Sequence, residues 1–562
     1  MRKIIYFIFT AIIFISLANR AFTSDRDVCP TCLYTTIQSA ISATANGDRI
    51  RVAQGIYFEH LSIYYNSKNI IISGGWSADF NTQVNNPSLT TVDAGGTGVD
   101  PDQEGRPLYI GGGPSDILIE NMTFQNGSVG SGNFGGGVWV VGNGYDINVN
   151  FQDVIIQDCD STVAHGGGIS FLALNHTLTS RLTNVIVRRN HAGSAGGGIS
   201  VLTDFYSGLG KAEVYILNSL IYSNTAEREA GGIHVWAEEK AYTRVLIINS
   251  TITGNTSNNT YLGGGGVVIN GDADPESTSI LEVYNTIIYG NTAAPGKDLT
   301  VSLEGTQSKA DVRYSNLGGV HYVQGPQGTF NQENNLTNDP LFVDPAGNNF
   351  HLQPTSTLID AGTSSVPSPP DLPSTDLEGY PRVIRTAPDI GAYEWTPVSP
   401  AGGAIGTEIS ITGSGYGARR GRVSIGTAAL KILTWTDELI HGQLTKALPA
   451  GTYDVKIQPQ FRGAVPIVIE HGFVVLPPEI DSVDPTIGSF NEQITLKGYY
   501  FGTKRGKVTL GGKNCRVLSW TMDPGTGGSE VNFVVPRGLN LGDYELNIIN
   551  GTGSDTVNFK VD

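Results

Sequence analysis

Asn184-Val-Ile-Val-Arg-Arg-Asn190, followed by Gly196-Gly-Gly-Ile199, is the stretch that decides the fold of this chain. A β-branched run between two asparagines is followed by a glycine run that leads into an apolar segment. Both parts recur along the chain. The asparagine-bounded runs start at Asn121, Asp153, Asn184, Asn218, Asn249 and Asn285. Their starts lie 31 to 36 residues apart, a spacing typical of one coil of a solenoid and too short for separate domains.

Residue alternation within each copy predicts a strand. The fourth position is always apolar and its neighbours are often polar, a period of two that predicts an inward-facing column. The column comprises Phe124, Ile156, Val187, Ile221, Ile252 and Ile288. The seventh position is usually Asn, which tolerates a left-handed bend and whose amide can bond to the same amide of the next coil. We therefore expect a sharp left-handed corner at the seventh position.

The glycine runs predict a second corner. They lie at 135–137, 166–168, 196–198, 231–232 and 263–266. Glycine lets backbones approach closely because no Cβ stands between them. Strands that alternate with two corners build a parallel β-helix, and the usual crossover handedness makes it right-handed. The expected fold class is all-β, a right-handed parallel β-helix (a single-stranded solenoid) followed by two small immunoglobulin-like β-sandwiches.

The composition suits an extracellular protein. With 562 residues, two to four structural units are expected. The net charge is -17 and only 15% of the residues are charged, so neither nucleic acid nor an anionic membrane is an expected partner. Arg2 and Lys3 precede an apolar run from Ile4 to Leu17. This predicts a signal peptide and a secreted or cell-surface protein that has no membrane span and no visible anchor.

The chain has four cysteines, two of which lie just after the predicted signal. For Cys29 and Cys32, a local disulfide is favoured over a redox centre in an exported chain. A zinc site would need further ligands, and no matching Cys or His pair is in sequence reach. Cys159 takes the asparagine corner position and is expected to be a small buried residue. Cys515 belongs to a later domain.

The segment after the signal resembles bacterial right-handed β-helix proteins of the pectate-lyase-like fold. Tyr34-Thr-Thr-Ile-Gln-Ser-Ala-Ile41 would form a short helix that caps the coil, and Gly47-Asp-Arg-Ile-Arg-Val52 resembles a first rung. Asp339-Pro-Leu-Phe-Val-Asp344 and Asp389-Ile-Gly-Ala-Tyr-Glu394 resemble the closing segment of choice-of-anchor surface proteins. The resemblance covers about residues 29–396. It implies a fold but no single function, because such coils serve as enzymes, adhesins and scaffolds.

After Trp395 two versions of another motif follow. Thr407-Glu-Ile-Ser-Ile-Thr-Gly-Ser-Gly-Tyr-Gly417 and Gln493-Ile-Thr-Leu-Lys-Gly-Tyr-Tyr-Phe-Gly502 each lead through a basic turn into a strand. Short alternating strands with regular glycine turns predict a small β-sandwich. The pair resembles two IPT/TIG domains, immunoglobulin-like modules that usually serve as spacers or binding units in exported bacterial proteins. Aromatic residues that recur at matched positions are expected in the two cores: Trp435, Trp520, Tyr453 and Tyr544.

These patterns divide the chain into four parts. We expect a signal peptide over residues 1–24 and the parallel β-helix over 25–396. The two IPT/TIG-like sandwiches are expected over 397–476 and 477–562. The protein is expected to be a monomer.

Candidate binding residues lie on the outer face of the coil. Counting from the last glycine of each run, Trp139 and His234 fall in one outward column, and Trp236 lies two residues further along its strand. With coils about 4.8 Å apart, three coils put Trp139 and Trp236 roughly 14 Å apart, the span of a few sugar units. Exposed indoles are platforms on which sugar rings stack. The alternative is that a loop covers both rings.

Three acidic residues form a second candidate site. Asp204, Glu238 and Asp272 lie six positions after the last glycine of successive runs, so they would stack about 5 Å apart if the register holds. Asp204 and Glu238 could then act as nucleophile and general acid in glycoside hydrolysis. All three could instead hold Ca²⁺, the one cofactor considered. The alternative is three solvated turn residues without a function.

Two functions remain open at this point. The favoured one is a scaffold or binding protein whose β-helix presents a face to a polysaccharide or cell-envelope glycan. The competitor is a polysaccharide-degrading enzyme, a lyase or glycoside hydrolase, that acts on the same face. A lyase needs a base for the sugar proton and a cation for the enolate. The basic residues near the face fall in no lyase-like motif, so the enzyme is less favoured.

Overall fold

The structure is a computed structural model that describes most of the chain after the predicted signal. The described residues are 24–64, 68–95, 105–113, 115–130, 134–203, 210–259, 263–293, 298–304, 307–323, 328–384, 386–413, 415–461 and 463–562. All of the predicted signal peptide except Ser24 lies outside them. The chain is 2% helical and 51% strand, the all-β class that the sequence predicts. Two compact units are present: the solenoid through Glu333, and a unit from Asn334 to Asp562 that also includes Tyr284–Ile287 and Tyr314–Asn316.

One wall of the solenoid is a sheet of nine strands, here called the face sheet, in which each strand pairs in parallel with its equivalent in the next coil. Its strands are Leu61–Tyr64, Leu108–Gly111, Val138–Asn143, Ile169–Leu174, Ile199–Thr203, Ile233–Ala237, Val267–Gly271, Leu299–Leu303 and Val320–Val323. The register is the one that the glycine runs predict. Val138 pairs with Ile169, and the series continues through Ile199, Ile233 and Val267.

Two further sheets complete the coils. The larger has 18 strands, and the smaller has five two-residue strands that follow the asparagine corner in sequence. The larger sheet comprises Asp25–Val28, Arg49–Ala53, Gly55–Tyr57, Ile70–Trp76, Thr90–Asp93, Ser115–Gln125, Ile147–Gln157, Thr177–Thr183, Ile186–Arg188, Lys211–Leu217, Leu220–Tyr222, Tyr242–Ile248, Thr251–Thr253, Thr278–Tyr284, Ile287–Ile288, Lys309–Arg313, Asn316–Leu317 and Thr329–Glu333. The smaller comprises Ser128–Val129, Asp160–Ser161, His191–Ala192, Thr225–Ala226 and Thr256–Ser257.

Apolar columns fill the inside of the coils. Every residue of the predicted fourth-position column is at most 1% exposed, which confirms the inward assignment. The inward positions of the face sheet are equally buried, and both columns belong to one continuous core. Burial of one such side chain is worth about 1.5–3 kcal/mol. The coils are therefore held together mainly by these columns.

The asparagine corner differs from the prediction in one respect. The left-handed residues are the first and sixth of each copy, such as Asn184 (φ 55°) and Arg189 (φ 54°), and the seventh position has no positive φ. The second of these bends comes directly before the seventh residue. The side chain of the seventh residue points into the protein, where Asn190, Asn224 and Asn255 are at most 1% exposed.

These buried asparagines form a hydrogen-bonded ladder, as the sequence predicts. Asn224 donates its backbone N–H (3.0 Å) and its Nδ2 (2.9 Å) to Oδ1 of Asn255 in the next coil. Its Nδ2 also donates to the Val187 carbonyl of the preceding coil at 2.9 Å. Asn190 and Asn255 repeat the pattern, and Asp298 accepts the last bonds from Asn291. Each amide therefore ties three coils together.

The glycine corner brings backbones into direct contact, as predicted. A Cβ on Gly197 would lie 2.4 Å from the Thr225 carbonyl oxygen and 2.5 Å from that of Gly231. The first corner residue is left-handed in successive coils, for example Gly196 (φ 71°). Ala230 (φ 57°) takes that position in the coil with only two glycines.

A short helix, Ile37–Ala43, begins the solenoid at the place that the resemblance implies. Thr36 caps it by accepting a hydrogen bond from the Ser39 N–H, and both carboxylate oxygens of Glu59 accept from the first helical N–H groups. Its buried face, Ile37, Ala40 and Ile41, joins the core of the coils. A 3-10 turn covers Pro87–Leu89. The structure has a disulfide between Cys29 and Cys32, while Cys159 and Cys515 are buried free thiols.

The second unit begins with a hairpin, Phe342–Asp344 and Asn349–Leu352, and a buried polar network. The Arg382 guanidinium lies 2.9 Å from Glu394 and donates to two backbone carbonyls. Burial raises the pKa of Asp389 to about 7 and that of Glu394 to about 9, and Arg382 only partly offsets this effect. Both carboxyls beside this single arginine are thus harder to ionise than they would be in water.

Two sandwiches with separate cores follow. The first comprises Val398–Ser399, Gly402–Gly403, Glu408–Thr412, Arg422–Ile425, Ala428–Trp435, Leu439–Leu444, Gly451–Gln458 and Ile467–Val475. The second comprises Glu479–Asp484, Ile487–Gly488, Gln493–Tyr499, Lys507–Leu510, Lys513–Asn514, Arg516–Met522, Gly528–Val534, Gly542–Ile549 and Ser554–Val561. Trp435 donates to the Gly417 carbonyl and Trp520 to the Gly502 carbonyl, an identical offset in the two sandwiches. The recurring aromatic residues pack at the edges of the cores and are half-buried.

The glycine corner predicts that one methyl group added there lowers the stability of the solenoid strongly. Gly197→Ala should destabilise the solenoid by about 1–3 kcal/mol, because its Cβ overlaps two backbone oxygens that cannot move independently. Gly130→Ala is the matched control, since nothing lies within 4 Å of its Cβ position. Urea unfolding of the two variants measures the difference. Equal stabilities would contradict the close-approach argument.

The ladder predicts that loss of a buried asparagine lowers the stability of the solenoid more than loss of an exposed one. Asn255→Ala should cost about 1–3 kcal/mol, because the Asn224 N–H and the Ile221 carbonyl each lose a buried partner. Asn143→Ala, at an exposed position, should change stability little. Thermal unfolding of both variants checks the prediction. A stable Asn255→Ala would mean that the ladder does not hold the coils.

Candidate functional site

The face sheet stacks the candidate residues as the sequence predicts. Trp139 pairs with Ser170, Ser170 with Ser200, and Ser200 with His234. Two residues further along each strand, a second outward column runs from Val141 through Leu172 and Leu202 to Trp236 and Asn270. Three coil steps therefore separate Trp139 from His234 and from Trp236.

The outer face is more covered than the sequence prediction assumes. His234 is only 2% exposed, Ser170 and Ser200 are fully buried, and Trp139 and Trp236 are half-buried rather than exposed. Val141, Leu172 and Leu202 form a small apolar cluster outside the coil, against which both indoles pack. The indoles are thus partly embedded edges and not open platforms.

A third column explains the cover. The residue just before each glycine corner stacks on its equivalent in the next coil, since the Gly135 N–H donates to the His165 carbonyl and the Gly196 N–H to the Glu229 carbonyl. We call these residues the pre-corner column: Phe134, His165, Ala195 and Glu229. Because Ser170 and Ser200 carry small side chains, the rings of Phe134 and His165 fit between Trp139 and His234.

Residues of the two outward columns and of the pre-corner column together build a continuous row of rings on the outer face. Neighbouring ring centroids lie 5.2 to 6.0 Å apart. We call this set the ring row, and its members in spatial order are Tyr64, Tyr109, Trp139, Phe134, His165, His234 and Trp236. His165 stacks nearly parallel on both neighbours, at 13° to Phe134 and 11° to His234. Within the row Tyr64 is exposed, His234 is buried and the other five rings are half-buried, so the row presents partly covered rings rather than open faces.

The imidazoles of the row are uncharged at neutral pH. Burial lowers the pKa of His234 to about 4. Burial also lowers the pKa of His165 to about 3, and the nearby His234 and Arg228 add to the effect. Arg106, itself buried, lies 5.0 Å from the Trp139 ring and donates to the carbonyls of Phe134 and Gly135.

A polar cluster lies at the Trp236 end of the row. Asn270, the register neighbour of Trp236, donates from Nδ2 to a Glu229 carboxylate oxygen at 2.7 Å and approaches His234 Nε2 at 3.2 Å. Burial raises the pKa of Glu229, although the Asn270 hydrogen bond and the charge of Arg228 oppose this. The side chain of Glu229 remains 18% exposed. A carboxyl, an amide and an indole are thus grouped at one place.

The predicted acidic column stays a prediction. Asp204 lies outside the described residues. Asp272 accepts hydrogen bonds from the backbone N–H groups of Glu239 and Asp274, and Glu238 is half-buried. In the described part of the chain, no group of three or more His, Cys, Asp or Glu side chains is arranged to hold a metal ion. The catalytic and calcium hypotheses for Asp204, Glu238 and Asp272 stay predictions.

Sequence reasoning missed the pre-corner column and Tyr109. Phe134, His165 and Glu229 lie four residues before the inward position of their strands, so the count that found Trp139 also finds them. Nothing in the sequence shows that their side chains fold over the face. Tyr109 has no glycine run before its strand, and only the pairing with Trp139 reveals it.

Comparison with known proteins concerns the C-terminal part. Residues 478–561 match the family model of the IPT/TIG domain, so an immunoglobulin-like TIG domain follows the solenoid. No curated protein matches the chain.

Several solved structures show limited similarity. The Bacteroides ovatus mixed-linkage glucan utilization locus SGBP-B, in complex with a mixed-linkage heptasaccharide, is 19% identical over 30% of this chain and 44% of its own, with a TM-score of 0.13. The surface glycan-binding protein PbSGBP-B from Prevotella bryantii is 14% identical over 28% of this chain and 37% of its own, with a TM-score of 0.15. The Plexin A4 full extracellular region is 16% identical over 30% of this chain and 18% of its own, with a TM-score of 0.21. This chain spans less than half the length of each.

Within the residues that the structure describes, no helix is long and apolar enough to cross a bilayer.

The histidines predict a distinct pH response. His165 and His234 should stay neutral down to about pH 5, because their pKa values are about 3 and about 4. Burial also lowers the pKa of His191, but its hydrogen bonds to Asp160 and Glu227 outweigh this and leave the pKa raised. Nitrogen NMR of histidine-labelled protein should therefore show His191 protonated at pH 6 while the other two are neutral.

The same shifts predict how stability depends on pH. The unfolded chain binds protons near pH 6.5 that folded His234 does not accept until about pH 4. The contribution of His234 is therefore present above pH 6.5 and is lost as the pH falls toward 4. Replacing His234 with Gln should flatten this loss in thermal unfolding. A cationic His234 at pH 6 would contradict the assignment.

Proposed function

We propose that this protein is a secreted or cell-surface glycan-binding protein whose ring row is the binding surface. The observation that carries the proposal is the unbroken series of seven rings along the outer face of the solenoid. Sugar rings stack on aromatic faces through their apolar C–H groups. A row that crosses many coils suits an extended polysaccharide better than a small ligand.

The remaining parts of the chain fit this role. The proposal includes a signal peptide over residues 1–24, a pectate-lyase-like β-helix over 25–396 with a choice-of-anchor-like closing segment, and two sandwiches over 397–476 and 477–562 as spacers. The net charge of -17 argues against nucleic acid as a partner. We further propose that the protein acts as a monomer, and Ca²⁺ stays the one cofactor considered.

The competing enzyme function has less support. Hydrolysis needs two carboxyl groups about 5 to 10 Å apart across the sugar bond. Among the described residues, one carboxyl group contacts the ring row, and it belongs to Glu229. The acidic pair Asp204 and Glu238 remains the candidate for catalysis.

Binding to polysaccharides tests the proposal. Trp139→Ala and Trp236→Ala should each weaken binding by about tenfold, because each removes one stacking surface. Affinity electrophoresis against neutral and acidic polysaccharides measures this, with circular dichroism to confirm the fold. Phe461→Ala removes a half-exposed ring from the first sandwich and should leave affinity unchanged.

Other outcomes would redirect the assignment. Loss of binding in Phe461→Ala, with both tryptophan variants unaffected, would move the site to the sandwich. Release of reducing ends or unsaturated products that is lost in Glu238→Gln would make the protein an enzyme. No binding to any polysaccharide of the set would reject the proposed function.

A further inference from the structure

The Trp236 end of the ring row differs chemically from the rest. The pre-corner column carries a phenyl ring and an imidazole in earlier coils, but in this coil the same position holds a carboxyl group, Glu229. In the face sheet, Asn270 takes the position that Leu172 and Leu202 hold in earlier coils. Polar groups therefore replace apolar ones in two columns at one place.

This place also has unused hydrogen-bonding capacity. Asn270 Oδ1 and His234 Nδ1 are buried atoms without a hydrogen-bond partner among the described residues. His234 is neutral, and Asn270 Nδ2 points at its Nε2, so the proton of the imidazole lies on Nδ1. One acceptor and one donor thus lack partners next to a carboxyl group whose side chain is 18% exposed. Leaving such groups unpaired costs free energy that a polar ligand can recover.

We infer that Trp236, Glu229 and Asn270 form a subsite for one residue of a neutral sugar. The inference rests on the proposed function and deepens it by naming the ligand class. The sugar ring packs on the Trp236 edge, and its hydroxyl groups donate to the Glu229 carboxylate and to Asn270 Oδ1. Access to Asn270 Oδ1 requires a side-chain rotation of Asn270, which is half-buried at the surface.

Charge is the reason for choosing a neutral sugar. When ionised, the Glu229 carboxylate repels the carboxylate of a uronic acid, and no charge on His165 or His234 offsets it at neutral pH. Arg228 is exposed, and its charge acts on the Glu229 carboxyl group itself. Arg106 donates its hydrogen bonds to the backbone carbonyls of Phe134 and Gly135. An acidic polysaccharide would therefore lose affinity at this subsite.

Calorimetric titration at pH 8, a pH that favours the ionised form of Glu229, tests the subsite. The probes are neutral oligosaccharides from β-glucan, xylan and galactomannan, and anionic ones from polygalacturonate and alginate. We expect at least one neutral probe to bind about tenfold more tightly than either anionic probe. Glu229→Ala and Asn270→Ala should each weaken that neutral probe by about tenfold, the effect of a lost hydrogen bond to a charged or buried group.

A neighbouring glutamate supplies the matched control. Glu227 lies two residues earlier in the same turn, and its carboxylate bonds to His191 and Asn258 instead of facing the row. Glu227→Ala should leave affinity unchanged. Because Glu229→Ala removes the acceptor of the Asn270 Nδ2 hydrogen bond, circular dichroism is used to confirm that this variant keeps the fold. Glu229→Gln, which keeps an acceptor for Asn270, should retain neutral binding and improve anionic binding about tenfold.

The outcomes separate the two proposals. If Trp139→Ala loses binding but Glu229→Ala and Asn270→Ala bind neutral probes like the parent, the glycan face stands and the subsite is rejected. A parent protein that prefers the anionic probes also rejects the subsite and keeps the glycan face. If no probe binds, both proposals are rejected.

Discussion

The structure depends on one constraint, namely that every coil repeats the path of the one before it closely enough for buried amides to bond across the gap. The asparagine ladder enforces this repeat on one side, because each amide bonds to the coils before and after it. The glycine corner enforces it on the other side, where a Cβ would overlap the next backbone. Apolar columns supply most of the free energy. The polar ladder and the bare glycines fix the register at which that free energy is gained.

Because the register is fixed, the residue type at one position of a coil decides which side chain the face carries there. Residues at equivalent positions stack at the coil spacing, so each column consists of side chains that lie one coil apart in the sequence. Trp139 and His234 lie in one such column, and two small serines between them leave space for Phe134 and His165 from the pre-corner column. No column alone holds a row of rings. The row exists because residues of the two outward columns and of the pre-corner column pack against one another.

Burial governs the electrostatics of both units. On the face of the solenoid it keeps His165 and His234 neutral and disfavours the charged form of Glu229. In the second unit it raises the pKa of Asp389 and that of Glu394 beside Arg382. A chain with a net charge of -17 thus places few free charges where side chains are packed. An aromatic, weakly charged face is suited to a ligand that binds through stacking and hydroxyl groups.

The sequence by itself determined the repeat, the β-helix, the inward columns, the face-sheet register and the two sandwiches. These follow from residues that act through their own coil, such as Val138 or Gly197, and through simple stacking of identical positions. The tertiary structure alone decided which residue of the asparagine corner is left-handed, how far Trp139 and Trp236 are buried, and that Glu229 lies beside Asn270. Those outcomes depend on side chains from different coils that compete for the same space, and no spacing within one coil encodes that competition.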